Sequence, residues 1–240
     1  MRSAELAKRN FKEVWRDPLS LGLTIGLPVL MLVVLQLFAD ADAFFSATSL
    51  APGIVLFGFV MLMFSMAMTI TRDRESALFK RLLTAPLGAN DFTAGYTTPY
   101  LPVALVQALV VFGVGMFFGL ELGAGMWIVA IVMLLMAVFF IALGVIFGST
   151  MTVRQVPFAY MVILLLTIFG GAWINLEDIG GVLETAGDLF PFAHAMDAAR
   201  DVMVDGASFT RVASDVYWVV GYTVVFAVLA VVSFRRKMVE

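Results

Sequence analysis

Cysteine is absent from the 240 residues, so neither a disulfide framework nor a thiolate metal site can be built, and the redox compartment cannot be read from the chain. There is a single histidine, His194, and no H-E-x-x-H or G-x-S-x-G. Intramembrane or hydrolytic catalysis is therefore left without its usual metal cage or nucleophile. The phosphate-cradling pattern G-x-x-x-x-G-K-[ST] is missing as well, so energy for uphill work is expected to come from another polypeptide. A net charge of −3 and a pI near 5.2 supply no basic face for nucleic acid. Charge of either sign is scarce, at 14% of residues, against about a quarter in ordinary soluble domains.

What fills the chain is hydrocarbon. It is 62% hydrophobic with a mean hydropathy of +0.99, the composition of a membrane protein. Crossing a core of ~30 Å takes about 20 apolar residues. Six such runs occur, near 19–38, 51–71, 95–119, 126–150, 156–175 and 216–234, and none contains Asp, Glu, Lys or Arg. That removes the ionisable relays on which proton- or sodium-coupled carriers usually depend. A sodium site made of backbone carbonyls at broken helices stays open.

Lysine and arginine set the expected orientation, because they favour cytoplasmic connections. The N-terminus carries Arg2, Lys8, Arg9, Lys12 and Arg16; the loop after the second run carries Arg72, Arg74, Lys80 and Arg81; Arg154 and the tail residues Arg235, Arg236 and Lys237 lie on the same side. Only Arg200 and Arg211 fall opposite, where the connections are acidic. Both termini are thus expected inside. A cleaved signal peptide ending near Ala39, Ala41 and Ala43 competes with this, but the first apolar run is too long and its flank mixes acids with bases.

Residues 3–16 read as an interfacial helix with Ala4, Ala7, Phe11, Val14 and Trp15 on one face and Lys8, Arg9, Lys12 and Glu13 opposite, ending before Pro18. Arg16 belongs to the same segment. The stretch "TITRDRESALFKRLLTAPLGANDF", residues 69–92, interrupts the apolar chain with charge. Within it Leu78, Phe79, Leu82 and Leu83 fall on one helical stripe, more than a solvated loop requires.

Three segments carry a resemblance. "LAPGIVLFGFVMLMFSMAMTITRDRESALFKRLLTAPL" is similar to the second span and following loop of ABC-2 type permeases, the membrane subunits of one class of ATP-binding-cassette exporters. The matches are Pro52 and Gly53, Arg74 and Glu75, Leu78, Leu82, and Thr84 with Pro86. "RNFKEVWRDPLSLGLTIGLPVL" looks like the family's first segment, and "LFPFAHAMDAARDVMVDG" resembles its signature before the last span, with Pro191, Asp197, Arg200 and Gly206. Ser76, Ala77, Phe79, Lys80 and Ala85 depart from the usual residues, and the Lys80-Arg81 form is closer to daunorubicin-resistance-like members.

The resemblance implies one all-α membrane domain over 1–240: six transmembrane helices, both termini cytoplasmic, and short outer-leaflet helices around 179–204 within a 176–215 connection. It implies a homodimer of permeases in the cell (inner) membrane, powered by two ATPase subunits that would hold the ATP and Mg; no cofactor or metal is expected in this chain. Loop 72–92 becomes a coupling segment, with Arg74, Glu75, Leu78, Phe79, Arg81 and Leu82 facing the ATPase. Phe11, Trp15 and Arg16 would serve the interfacial lever. Phe57, Met61, Phe64 and Met68 of the second run are soft, adaptable candidates for a substrate path, although such residues in a span more often serve plain packing or lipid contact. Gly113-x-Gly115, Gly119, Gly144 and Gly148 suggest close helix approach. His194, Asp197 and Arg200 recur every three residues, which suits a local ion pair or an outer gate. The expected function is export of a hydrophobic drug or lipid-like molecule; the alternatives are a stand-alone carrier, an assembly factor, or a polysaccharide or glycolipid exporter.

Overall fold

The computed structural model describes residues 2–39, 43–76, 89–172, 181, 187 and 189–238, with side chains from Leu6 to Arg236 in the well-placed parts of these segments. Among them the secondary structure is entirely helical, as expected. Helix α1 is Arg2–Trp15, and α2 runs Pro18–Phe38. It contains a π-helical stretch at Gly22–Gly26 and tightens to a 3-10 turn at Gln36–Phe38. Pro18 does more than stop α1: it occupies the first turn of α2, where its missing N–H is harmless. Asp17 caps that turn, accepting from the Ser20 amide at 3.1 Å and the Ser20 hydroxyl at 2.6 Å. The hydroxyl first, then the amide, holds the Asp17 carboxyl below the usual carboxylate range.

Helix α3, Ala47–Glu75, and helix α6, Met126–Thr150, form the centre of the bundle. Most of their apolar side chains are buried, as a helix without an amphipathic pattern requires, although α6 leaves Trp127, Ile131 and Leu134 exposed. Gly144 and Gly148 make the contact close. A Cβ at Gly144 would sit 3.1 Å from the Met63 carbonyl oxygen, and one at Gly148 would sit 2.7 Å from Ile70 Cβ. Thr71 donates across the same joint to the Gly148 carbonyl at 3.2 Å. In the apolar medium, where water offers no competing driving force, such small-residue approach is how helices attach. The expectation for the other glycines fails: a Cβ on Gly113 or Gly119 meets nothing within 4 Å, and Gly115 faces Leu120 of its own turn.

Helices α4, Ala89–Thr97, and α5, Tyr100–Phe117, make one candidate span with a break before Tyr100 at Pro99. It begins earlier than the expected limit of 95 because Phe92 and Tyr96 pack against Phe234 of the last helix. Helix α7 is Val156–Thr167, continued by a π turn at Ile168–Ala172. Among the described residues five helices are long and apolar enough to cross a membrane, while Val156–Gly171 is shorter. At ~1.5 Å per residue it reaches about 24 Å, less than the ~30 Å core. The rest of the expected 156–175 span lies outside the described residues. A glycine ends α7 for a conformational reason, since Gly171 has φ 94°, which L side chains avoid.

Helix α8, Pro191–Val204, realises part of the expected short helices before the last span, and α9 is Phe209–Met238. The sequence limit of 216 for the last helix is too late, because the charges that set it are paired. Asp215 meets His194 at 2.8 Å, and Arg211 meets Asp201 at 3.2 Å and Asp205 at 3.3 Å.

Candidate functional site

The ends of α1, α3, α4 and α6 converge on a polar cluster at the basic end of the bundle. Its centre is Asp73, only 9% exposed. Its Oδ2 accepts from Arg9 Nη2 of α1 at 2.9 Å and from the Tyr96 hydroxyl of α4 at 2.8 Å. Burial pushes the Arg9 guanidinium down, but the Asp73 carboxylate outweighs it and leaves Arg9 above its ordinary value. Arg9 also reaches Glu13 at 3.2 Å, one turn along α1. One residue on, Asn10 is 1% exposed and donates to the Gly95 carbonyl at 3.1 Å. Gly95 must be small, since a Cβ there would lie 2.7 Å from Leu6 Cδ2.

Part of the expected polar face of α1 turns inward, while Phe11 and Trp15 of the expected apolar face stay outward. Leu6, Arg9 and Asn10 turn toward the bundle, whereas Phe11 and Trp15 are exposed and stack on each other at 5.5 Å. The reason is that Arg9 finds a buried carboxylate and Asn10 a backbone carbonyl, partners that periodicity of apolar residues cannot reveal. Arg16, at the exposed end of α1, donates its amide to the Glu13 carbonyl at 3.2 Å.

Two residues expected to face another protein are engaged within the chain. Arg74 donates to the carbonyls of Ser149 and Met151, at the end of α6. Glu75 accepts from the Val153 amide at 3.2 Å. Together they fasten the end of α3 to the turn between α6 and α7. Leu78, Phe79, Arg81 and Leu82 lie outside the described residues, so the apolar stripe is not placed.

Beside this cluster is a cleft of about 200 Å³ between α2, α3 and α7. Met61, Phe64 and Met68 line it, as does Tyr160, whose ring is 4.9 Å from Phe64 and whose hydroxyl meets Met61 Sδ at 3.3 Å. Ser20, Thr24, Ser65 and Thr69 add hydroxyls, and Asp17 and Arg72 add opposite charges. Phe57 is instead buried in the bundle. The structure thus groups three of the four proposed path residues and separates the fourth.

At the other end, Pro191 opens α8 and is buried. His194 stacks flat on Trp218 at 5.4 Å and bonds Asp215 through Nδ1 at 2.8 Å. Asp197 is exposed on the same helix. Arg200 reaches inward, donating to the Gly171 carbonyl at 2.8 Å and to the Ser49 carbonyl at 3.5 Å, with Phe44 under its guanidinium at 5.1 Å. Burial pushes the Arg200 guanidinium down to about 10. It thereby satisfies a carbonyl left free where α7 breaks, which is otherwise costly away from water.

Sequence reasoning missed Asp73, Tyr96 and Asn10 as functional candidates. Asp73 was detectable: Met63, Met66, Ile70 and Asp73 follow i, i+3, i+7 and i+10, so the carboxylate continues the buried stripe of α3. No comparable signal marks Tyr96 or Asn10.

Long apolar helices held by glycine contacts, with a polar clamp at one end, define a multi-pass α-helical membrane protein. The chain belongs to the ABC-2 type transporter family, whose sequence pattern matches residues 4–204. That makes it a permease component of an ABC-type transporter. No curated protein matches the chain.

Proposed function

We propose that this chain is the membrane subunit of an exporter that moves a hydrophobic drug or lipid-like molecule out of the cell, driven by ATP hydrolysed in a separate ABC ATPase. The observation that carries the reading is the clamp around Asp73. A displacement imposed on the segment after Glu75 would pass through Arg74 and Glu75 to the α6–α7 turn, and through Asp73 to α1 and α4. The basic end would face the cytoplasm, both termini with it. Leu78, Phe79, Arg81 and Leu82 would then contact the ATPase, with Phe11, Trp15 and Arg16 on the membrane surface. A second permease copy would complete the path, and the cleft of Met61, Phe64 and Met68 would receive substrate. Its paired hydroxyls and charges favour an amphipathic molecule over a pure hydrocarbon.

The test is co-expression with an ABC ATPase encoded beside the gene. We expect the pair to co-purify and to accumulate a lipophilic dye in inverted vesicles with ATP. Replacing Leu78→Asp together with Leu82→Asp should release the ATPase while the permease stays folded. Retained assembly and full transport in that double variant would sink the coupling role.

A further inference from the structure

A second cavity, of about 320 Å³, lies between α5 and α6 and away from the cleft and the clamp. Phe59 forms its floor, Ala104, Ala108 and Gly113 one wall, and Ala130 and Ala137 the other. Every side chain lining it is apolar. A water molecule needs two to four polar partners, so this space would stay dry. It is flanked by Leu105, Leu109 and Leu134, all exposed, so it opens outward between two candidate spans rather than inward to the core. The medium at that depth is hydrocarbon.

Dimensions narrow the occupant. From Ala104 to Met116 the groove follows α5 for ~18 Å at about 1.5 Å per residue, close to one leaflet of a ~30 Å core. Over that length a helix about 10 Å across would occupy roughly 1,400 Å³, several times the cavity's volume of about 320 Å³. A single flexible hydrocarbon chain is slim enough to lie in it. Nor is the wall shaped for packing within the chain, since a side chain at Gly113 would meet nothing within 4 Å.

We infer that the α5–α6 groove holds a single acyl chain of a bilayer phospholipid, lying along α5 in the leaflet nearest the Phe118–Gly125 connection. The small residues leave room for the chain, and its methylenes replace the contacts that α5 and α6 do not make with each other. This site is separate from the proposed substrate cleft and does not depend on which molecule is exported.

The test uses the full chain in phosphatidylcholine nanodiscs doped with a phosphatidylcholine bearing a diazirine in its acyl chain. Adducts are mapped by peptide mass spectrometry. Expected are adducts on the groove walls several-fold above those on Val224 and Val228, exposed residues of α9 that any lipid can touch. Gly113→Leu fills the groove without a backbone clash and should bring the yield down to the α9 level, with thermal stability retained. Equal labelling of groove and α9 in the wild type, or undiminished groove labelling in a folded Gly113→Leu chain, overturns the inference. So does a disulfide dimer through Leu109→Cys that shields the groove, which would assign it to a second copy.

Discussion

Breaking the Asp73 clamp should uncouple the ends of α1, α3 and α4, and a double-mutant cycle between Arg9 and Asp73 measures how strongly. Asp73→Asn keeps an oxygen for the Tyr96 hydroxyl but leaves the Arg9 guanidinium with only the exposed Glu13 as counter-charge. Arg9→Gln does the reverse. A hydrogen bond to a charged group contributes about 1.5–3 kcal/mol, and removing one partner of a fully buried ion pair costs about 3–5 kcal/mol. Asp73 is buried, but the Arg9 side chain is 35% exposed. Solvent screening therefore places each single substitution near the lower figure, ~2 kcal/mol. For a chain of this size that corresponds to a fall in Tm of about 4–8 °C. The assay is thermal unfolding in one fixed lipid nanodisc, followed by scanning fluorimetry, with dye transport measured on the same samples. The double variant should lose less than the sum of the singles by about 1 kcal/mol or more. Additive losses, or single variants that melt with the wild type, would refute the claim that this carboxylate ties α1 to the bundle.

Helix contact predicts a split among glycines: Gly148→Leu overpacks against Ile70 and should cost about 1–3 kcal/mol, whereas Gly113→Ala should leave Tm within about 1 °C, both read by thermal unfolding. Arg200→Met removes the donors to Gly171 and Ser49 and should speed hydrogen exchange of amides near 168–172; Arg200→Lys, lacking the planar fork, should restore it only in part. Asp17→Ala should cost about 1 kcal/mol at pH 7 through loss of the cap. Because the folded Asp17 pKa is depressed, its contribution is present above the unfolded value of about 4 and fades as pH falls through the lower folded pKa. The Tm gap between wild type and Asp17→Ala should accordingly close in acid and stay constant from about pH 5 to 8.

Much of the bundle was legible because hydrocarbon content and helix length are one-dimensional quantities. The runs at 51–71 and 126–150 fall inside α3 and α6, whose cores need no partner to be recognised. Limits set by charge were less secure. Asp215 and Arg211 look like residues outside a span, yet they stand within α9 because His194, Asp201 and Asp205 meet them. Glycine roles were not separable in sequence either. Gly113 and Gly148 differ only in whether a neighbouring helix arrives, and that is a three-dimensional fact. Residue type singled out Phe57, Met61, Phe64 and Met68 as candidates for a path; three of them line one cleft, but residue type could not tell that Phe57 turns into the core.

The placement of Arg74 and Glu75 changes which substitutions can report on coupling. Both side chains already hold the α6–α7 turn, Arg74 through the Ser149 and Met151 carbonyls and Glu75 through the Val153 amide. The Arg74 bonds are part-buried and the Glu75 bond is exposed, so losing one costs about 0.5–1.5 kcal/mol whether or not an ATPase is present. Loss of transport in Glu75→Ala or Arg74→Ala would therefore follow equally from a displaced turn and from a lost protein contact. The two are separated by exchange protection at 151–155 in the permease alone. If that protection falls in the isolated chain, the defect is internal, and the contact with an ATPase must be carried by Leu78, Phe79, Arg81 and Leu82. If it is unchanged while transport fails, Glu75 acts outward, and the clamp is only half of its role.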